Sequence, residues 1–384
     1  MSDRLDAILV DGVPRVCSAA VALIAVDGSV AASAATGELV RYVDAGGTLA
    51  ADRPPAARDS VFDLASISKL FTTAVVLSLA EEGRLDLDEP VAARLPAGDP
   101  RITLRRLLTH TAGLQPTRRI DLELPDATPA ARMAAMVSTP VTGPVGGPYL
   151  YSDVGMVMVG RIAELAGGAP LDALVGERIT SVLGLADTGY RPGPATLPRI
   201  AATEWKPERQ GAVAEGKPER QGATTGWTPE RQVSGCVRGE VHDETAYGLG
   251  GVAGHAGVFA TADDLLTFGE TLRLGGGALL RPETVAEMLR DQGAKGAEFR
   301  HGLGVRIGDP AIVGPLGAAA FGHSGFTGTS LVIDPAHGLT VVLLTNAVHP
   351  VRGRDGIRAL RHAVAEEALR LAREVYDDQG AEVA

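Results

Sequence analysis

Apolar residues follow two different rhythms along this chain. Near both ends, short runs rich in Val, Ile, Leu, Ala and Thr are bounded by Gly, Pro or Asp, which predicts strands. Residues 18–26 and 29–36 flank Asp27-Gly28, a dipeptide suited to a hairpin turn. Residues 258–261, 302–307, 329–334 and 339–344 read as further antiparallel strands. A short helix at 5–10 leads the chain. Between the strand-rich ends the pattern turns helical. Residues 66–82, stopped by Gly83, are followed by 104–108, 130–137, 154–166 and 171–183, with Pro- and Gly-rich loops between them. Residues 350–376 close the chain as an amphipathic helix, apolar at Ile357, Leu360, Val364, Ala368 and Leu371. This order predicts an α+β fold, an α/β sandwich. A mixed, mainly antiparallel sheet is flanked by helices, with a helical domain inserted in it. Residues 1–83 and 245–384 are expected to form the sheet domain. Residues 84–244 are expected to form the mainly helical one, including a repeat loop at 205–232.

Those repeats stand apart from both rhythms. Lys206-Pro207-Glu208-Arg209-Gln210 recurs at 217–221 and, with Thr first, at 228–232, a period of eleven residues. The copies hold Pro, Gly and charge and have little to bury, so they cannot stack as a solenoid. Two readings remain, an exposed duplicated loop or a flap over a binding site. Trp205 and Trp227, the two tryptophans of the chain, lie at this segment and would be its apolar contacts.

Composition narrows the function. A chain of 384 residues suggests two compact units. A net charge of −11 and a pI near 5.3 exclude a basic face for nucleic acid. The apolar runs are too short or interrupted to span a bilayer, and no basic-then-apolar leader opens the sequence. A cytoplasmic protein with neither membrane nor nucleic acid as partner is expected, its oligomeric state open. Cys17 and Cys236 allow at most one disulfide. His242-Asp243 and His255 lack metal-ligand spacing, so no metal or other cofactor is expected, and these residues read as pocket-lining or structural. His110 reads as a loop-structuring residue.

The chemistry concentrates in Phe62-Asp63-Leu64-Ala65-Ser66-Ile67-Ser68-Lys69. A serine hydroxyl is a weak nucleophile until a base or a cation supports it. On a helix, Lys69 lies one turn from Ser66 and supplies that support. The same four residues also suit an ordinary helix start capped by Asp63 or Ser66. The run at 70–80 weighs against that reading, because it is apolar nearly all round and predicts a buried helix. A lysine on its first turn then needs a partner. Tyr149-Leu150-Tyr151-Ser152-Asp153 follows a Gly/Pro-rich loop at 143–148. Its tyrosines either pack their rings or aim a hydroxyl into a cleft as a general base. Gly322-His323-Ser324-Gly325-Phe326-Thr327-Gly328 is either a plain Gly-rich turn or a place where backbone N–H groups meet substrate. It lacks the last Gly of a Gly-x-Ser-x-Gly elbow, which discounts an α/β-hydrolase.

Taken together, the three segments resemble the serine β-lactamase and penicillin-binding-protein superfamily, in its class C, family VIII esterase-like branch. Leu107-Leu108-Thr109-His110-Thr111-Ala112-Gly113-Leu114, the Gly-rich stretch at 250–257 and Leu344-Thr345-Asn346 look like this branch too. The resemblance implies Ser66 as nucleophile, Lys69 as its activator and Tyr151 as base and later acid. It implies an oxyanion hole from the Ser66 and Phe326 N–H groups. Asp153, His323, Ser324 and Gly325 would meet substrate, with Trp205 and Trp227 on the flap reading. Two positions depart from the family. Asp153 replaces an Asn, and a carboxylate accepts hydrogen bonds where an amide also donates. His323 replaces a Lys that answers a substrate carboxylate. The expectation is a serine hydrolase acting through an acyl-enzyme, a carboxylesterase on small-acid esters. An acyltransferase, an amide or D-amino-acid peptidase and a β-lactamase share that chemistry. A non-catalytic penicillin-recognising domain is the reading from another class.

Overall fold

A computed structural model describes residues 3–95, 98–206 and 235–382. Most of the eleven-residue repeats, and Trp227 with them, lie outside the described residues. Helix α1 (Asp3–Gly12) leads into the hairpin β1 (Ala19–Val26) and β2 (Ser29–Gly37). Asp27 and Gly28 turn it with φ of 45° and 80°, the left-handed pair that such a tight turn requires. The short β3 (Phe62–Asp63) runs into helix α2 (Ser68–Glu81). Helices α3 (Leu104–Leu108), α4 (Pro129–Val137), α5 (Asp153–Gly167) and α6 (Leu171–Val175) follow, then β4 (Gly189–Tyr190) and β5 (Val258–Ala260). Helices α7 (Ala262–Arg273) and α8 (Pro282–Leu289) precede β6 (Arg300–His301), β7 (Arg306–Ile307), β8 (Phe321–Ser324), β9 (Ser330–Asp334) and β10 (Leu339–Thr345). Helix α9 (Ile357–Glu382) ends the chain.

Seven strands form an antiparallel sheet in the order β2-β1-β10-β9-β8-β7-β6. Successive strand side chains point to opposite faces, so one buried strand serves two cores. In β1, Val21, Leu23 and Ala25 join the core beneath α2 and α7, while Ala22, Ile24 and Val26 join a second core under α1 and α9. Phe71 of α2 and Phe268 of α7 stack at 4.3 Å, which joins the two helices over this core. The structure agrees with the expected mixture of helices on an antiparallel sheet.

Several elements differ from expectation for local reasons. Residues 258–261 do not extend the main sheet. β5 pairs with β3 and β4 in a small second sheet. The strand expected at 302–307 shrinks to β7, because Gly304 takes a φ of +64° against Thr73. The helix expected from 66 begins with a 3₁₀ turn, Ala65–Ile67, before α2. The helix expected over 171–183 runs that length, with α6 continuing through a π-helical turn at Gly176–Thr180 to a last turn at Ser181–Leu183. Helices α7 and α8 carry more charge than a buried run and escaped the sequence pattern.

Two buried polar side chains lock the first hairpin to the end of the sheet. Asn346 Oδ1 accepts from Ser18 N and Ala19 N, and its Nδ2 donates to Ala202 O at 3.0 Å. His349, fully buried, lies 2.9 Å from Thr203 O through Nδ1, and its Nε2 accepts from Arg41 N and Tyr42 N at 3.0 Å each. Only a neutral imidazole with its proton on Nδ1 makes all three bonds. Burial, the largest cause, pushes the His349 pKa from 6.5 down to about 4. The unfolded chain therefore takes up this proton first as pH falls. The stability His349 gives is complete above pH 6.5 and drains away as pH falls towards about 4. Urea unfolding of His349→Gln between those limits should show a slope of stability on pH smaller by about one proton, ~1.4 kcal/mol per pH unit. An unchanged slope would contradict this assignment.

Candidate active site

The site is organised around a charged amine with no access to water. Lys69, on the first turn of α2, is 0% exposed. Its Nζ donates to Ser66 Oγ at 2.9 Å and to His255 O at 3.1 Å, and it pairs with Asp153 Oδ1 at 2.8 Å. An ammonium has three N–H donors, and three acceptors meet it. Burial alone favours the neutral amine, but the Asp153 carboxylate and then the Tyr151 oxygen outweigh it, so the Lys69 pKa stands above its ordinary value.

Each acceptor arrives by a different local device. Ser66 follows Ala65, whose φ of +47° turns the chain sharply from β3 into the 3₁₀ turn. Asp153 opens α5, which Ser152 caps by accepting from Gly155 N at 3.1 Å. His255 sits in the Gly-rich loop at 250–257. A Cβ on Gly254 would lie 2.1 Å from Met156 O, so only glycine lets this loop press on α5 and bring the His255 carbonyl to Lys69.

Tyr151 Oη lies 3.0 Å from Ser66 Oγ. His110 brackets this tyrosine. Leu150 N donates to His110 O at 2.9 Å, and Ser152 N donates to His110 Nδ1 at 3.1 Å. That bond needs a neutral imidazole, and burial holds the His110 pKa well below 6.5. Tyr149 faces elsewhere. Its ring packs at the edge of His110 and Phe299, and burial pushes its hydroxyl up to about 12.

The third segment abuts the nucleophile. Thr327 Oγ1 donates to Asp63 O at 2.7 Å and Thr329 Oγ1 to Leu64 O at 3.1 Å, which fixes the β8–β9 turn against the backbone before Ser66. A Cβ on Gly325 would meet Leu64 O at 2.4 Å, so the close approach requires glycine. Arg361 of α9 donates to Gly325 O and Thr329 O from behind. This turn carries Phe326, whose ring is exposed and lies parallel to His242 at 5.8 Å, under Arg352 at 5.4 Å. His323 and Ser324 lie on β8. His323 is buried, its Nδ1 2.9 Å from Ser324 O, and burial holds its pKa well below 6.5. It is neutral near pH 7.

The structure thus brings Ser66, Lys69, Tyr151 and Asp153 into direct contact, with Gly325 against the backbone that leads into Ser66. Trp205 packs instead on a small cluster of Val40, Ala50, Ala202 and Cys236, and its N–H donates to Pro350 O. Three contributors were missed from sequence. Asp63 and the His255 carbonyl act through backbone geometry, which composition does not reveal. Arg306 of β7 places its guanidinium 4.9 Å from the Tyr151 ring centroid and pairs with Asp309 at 3.0 Å. A charge inside a short, otherwise apolar run was the one signal for it. Among the described residues no group of three or more His, Cys, Asp or Glu side chains is arranged to hold a metal ion.

Comparison with known proteins identifies the family. A family model described as Beta-lactamase matches residues 15–366. A protein of Escherichia coli (strain K12), whose name proposes a D-alanyl-D-alanine carboxypeptidase, is 32% identical over 76% of this chain and 70% of its own. The structure of EstCE1, described as a hydrolase with promiscuous acyltransferase activity, superposes with a TM-score of 0.69 at 26% identity, covering 94% of this chain and 97% of the other. A simvastatin synthase (LovD) variant of Aspergillus terreus shares the fold at 22% identity and a TM-score of 0.69, over 97% and 98% of the two chains. With a family model matching nearly its whole length, the chain belongs to the Beta-lactamase family and is a serine hydrolase.

Proposed function

We propose that the protein is a carboxylesterase that cleaves esters of small acids through an acyl-enzyme on Ser66. One observation carries this reading. Asp153 is committed to Lys69 at 2.8 Å, and the third segment opens with a neutral His323. The site therefore lacks both the amide donor and the fixed cation that relatives acting on β-lactams or peptides present at these two positions. Esters of small acids ask for neither.

The chemistry follows from the geometry. Ser66 Oγ attacks the ester carbonyl as Tyr151, reacting as its phenolate, takes the Ser66 proton across 3.0 Å and becomes the phenol. Lys69 Nζ and the Arg306 guanidinium each lie 4.9 Å from the Tyr151 ring centroid, so the phenolate that takes the proton, and that forms again when Tyr151 gives it to the leaving group, meets two cations. The Ser66 and Phe326 N–H groups serve the oxyanion. Tyr151 then protonates the departing alkoxide, and water releases the acid by the reverse sequence. If an alcohol takes the place of water, the same site is an acyltransferase, the second activity named for EstCE1.

Arg306 favours a second reading. It is a cation beside Tyr151, and a substrate carboxylate directed to it would make the protein a D-amino-acid peptidase, as the name of the Escherichia coli relative suggests. Wild-type protein cleaving acyl-D-alanyl-D-alanine faster than p-nitrophenyl acetate would establish that reading over the first.

Ser66→Ala should lower p-nitrophenyl acetate turnover by about three or more orders of magnitude and abolish the acyl adduct seen by intact-protein mass spectrometry. Unchanged turnover would remove Ser66 from the mechanism. Tyr151→Phe should lose about 10²–10⁴-fold in kcat with an unaltered fold. Tyr149→Phe should cost far less, and the reverse order would mean that the other tyrosine moves the proton. Asp153→Asn combined with His323→Lys should raise β-lactam acylation relative to ester turnover. Wild-type β-lactam hydrolysis outpacing ester hydrolysis would overturn the ester reading.

A further inference from the structure

Asp63, three residues before Ser66 and 2% exposed, is buried where a carboxylate is costly. Two backbone donors converge on it. Ala65 N donates to Oδ1 at 2.8 Å and His242 N to Oδ2 at 2.6 Å. The residue that Asp63 holds through Oδ1 is the strained one. Ala65 has a φ of +47°, a left-handed conformation that its Cβ disfavours. Ser66 is the next residue, and the turn closes behind it through Ile67 N to Leu64 O at 3.1 Å. If Ala65 relaxed to negative φ, Ser66 would swing away from Lys69 and Tyr151.

We propose that Asp63 is a positioning residue that holds the Ala65 N–H, keeps Ala65 left-handed and so aims the Ser66 hydroxyl. The proposal rests on Ser66 being the nucleophile. A carboxylate suits the task because both its oxygens accept. An asparagine offers one accepting oxygen and turns an NH₂ group towards the second N–H. Glycine at position 65 would hold the same φ unaided, since it has no Cβ to relieve. A merely space-filling Asp63 gains nothing from a glycine at 65, and this separates the two roles.

The test measures Ser66 labelling by a fluorophosphonate, together with kcat and KM for p-nitrophenyl acetate. Asp63→Asn should lower labelling and kcat by about 10²-fold and leave KM within about threefold, as for a misplaced nucleophile. Adding Ala65→Gly to Asp63→Asn should recover about tenfold or more of that loss. Wild-type labelling in Asp63→Asn, or no recovery in the double variant, would overturn the proposal. If Asp63→Asn folds too poorly to assay, the double variant decides alone. Labelling within about tenfold of wild type supports the clamp, and labelling near a hundredth of wild type, or failure to fold, refutes it. Absence of labelling in the wild-type chain, with Ser66→Ala as control, would instead strike at the nucleophile assignment on which the proposal stands.

Discussion

The arrangement of the site depends on one buried positive charge. An ammonium with no water around it must find acceptors from the protein, and leaving it unpaired would cost several kcal/mol by about the usual penalty for a lone buried ion. For Lys69 those acceptors come from three separate parts of the chain: the hydroxyl one turn earlier, a carboxylate at the head of α5 and a carbonyl in the loop at 250–257. Satisfying the charge therefore draws three segments together, and their meeting point is where Ser66 lies. The amine that contacts Ser66 also gathers the candidate site around it.

How much of this could be read from sequence varies from residue to residue. Ser66 and Lys69 were legible because a helix fixes the distance between residues three apart, whatever surrounds it. Tyr151 was legible only through its resemblance to a family, since a loop carries no period. The antiparallel strands at 330–334 and 339–345 announced themselves as dense β-branched runs, whereas β3 and β4 are two residues long and have no pattern to detect. Arg306 and Asp63 went unseen for a related reason. Their importance lies in where β7 meets β8 and in the φ of a neighbour, and neither is a property of residue identity. Trp205 was read as a substrate contact because large aromatics are costly to expose, and packing against Val40 and Ala202 relieves that cost equally well.

The glycines of the site divide the work in a consistent way. Gly254 and Gly325 are required because another backbone passes within contact distance, and each brings a carbonyl or a turn up to a reacting group. Two site residues are bent left-handed without being glycine, Ala65 and His110, with φ of 47° and 55°, and Ala65 is the one whose N–H a buried carboxylate grips. Strain thus falls on the residue before Ser66 and on the residue that brackets Tyr151, and it is avoided where only proximity is needed.

The pairing of β1 with β10 has a consequence for how the chain comes to be folded. Ala20 lies opposite Thr345, so the centre of the sheet joins residues from the two ends of the sequence. On a ribosome the first hairpin emerges well before β10 and waits with one edge of its wholly apolar strand β1 unpaired until β10 has been made. Contacts this distant in sequence form slowly, and an unpaired apolar edge invites the wrong neighbour. The sheet that carries β8 and the oxyanion turn is complete only when the last strand arrives. A nascent chain that has not yet reached β10 would hold Ser66 and Lys69 one turn apart and yet have no finished sheet beside them.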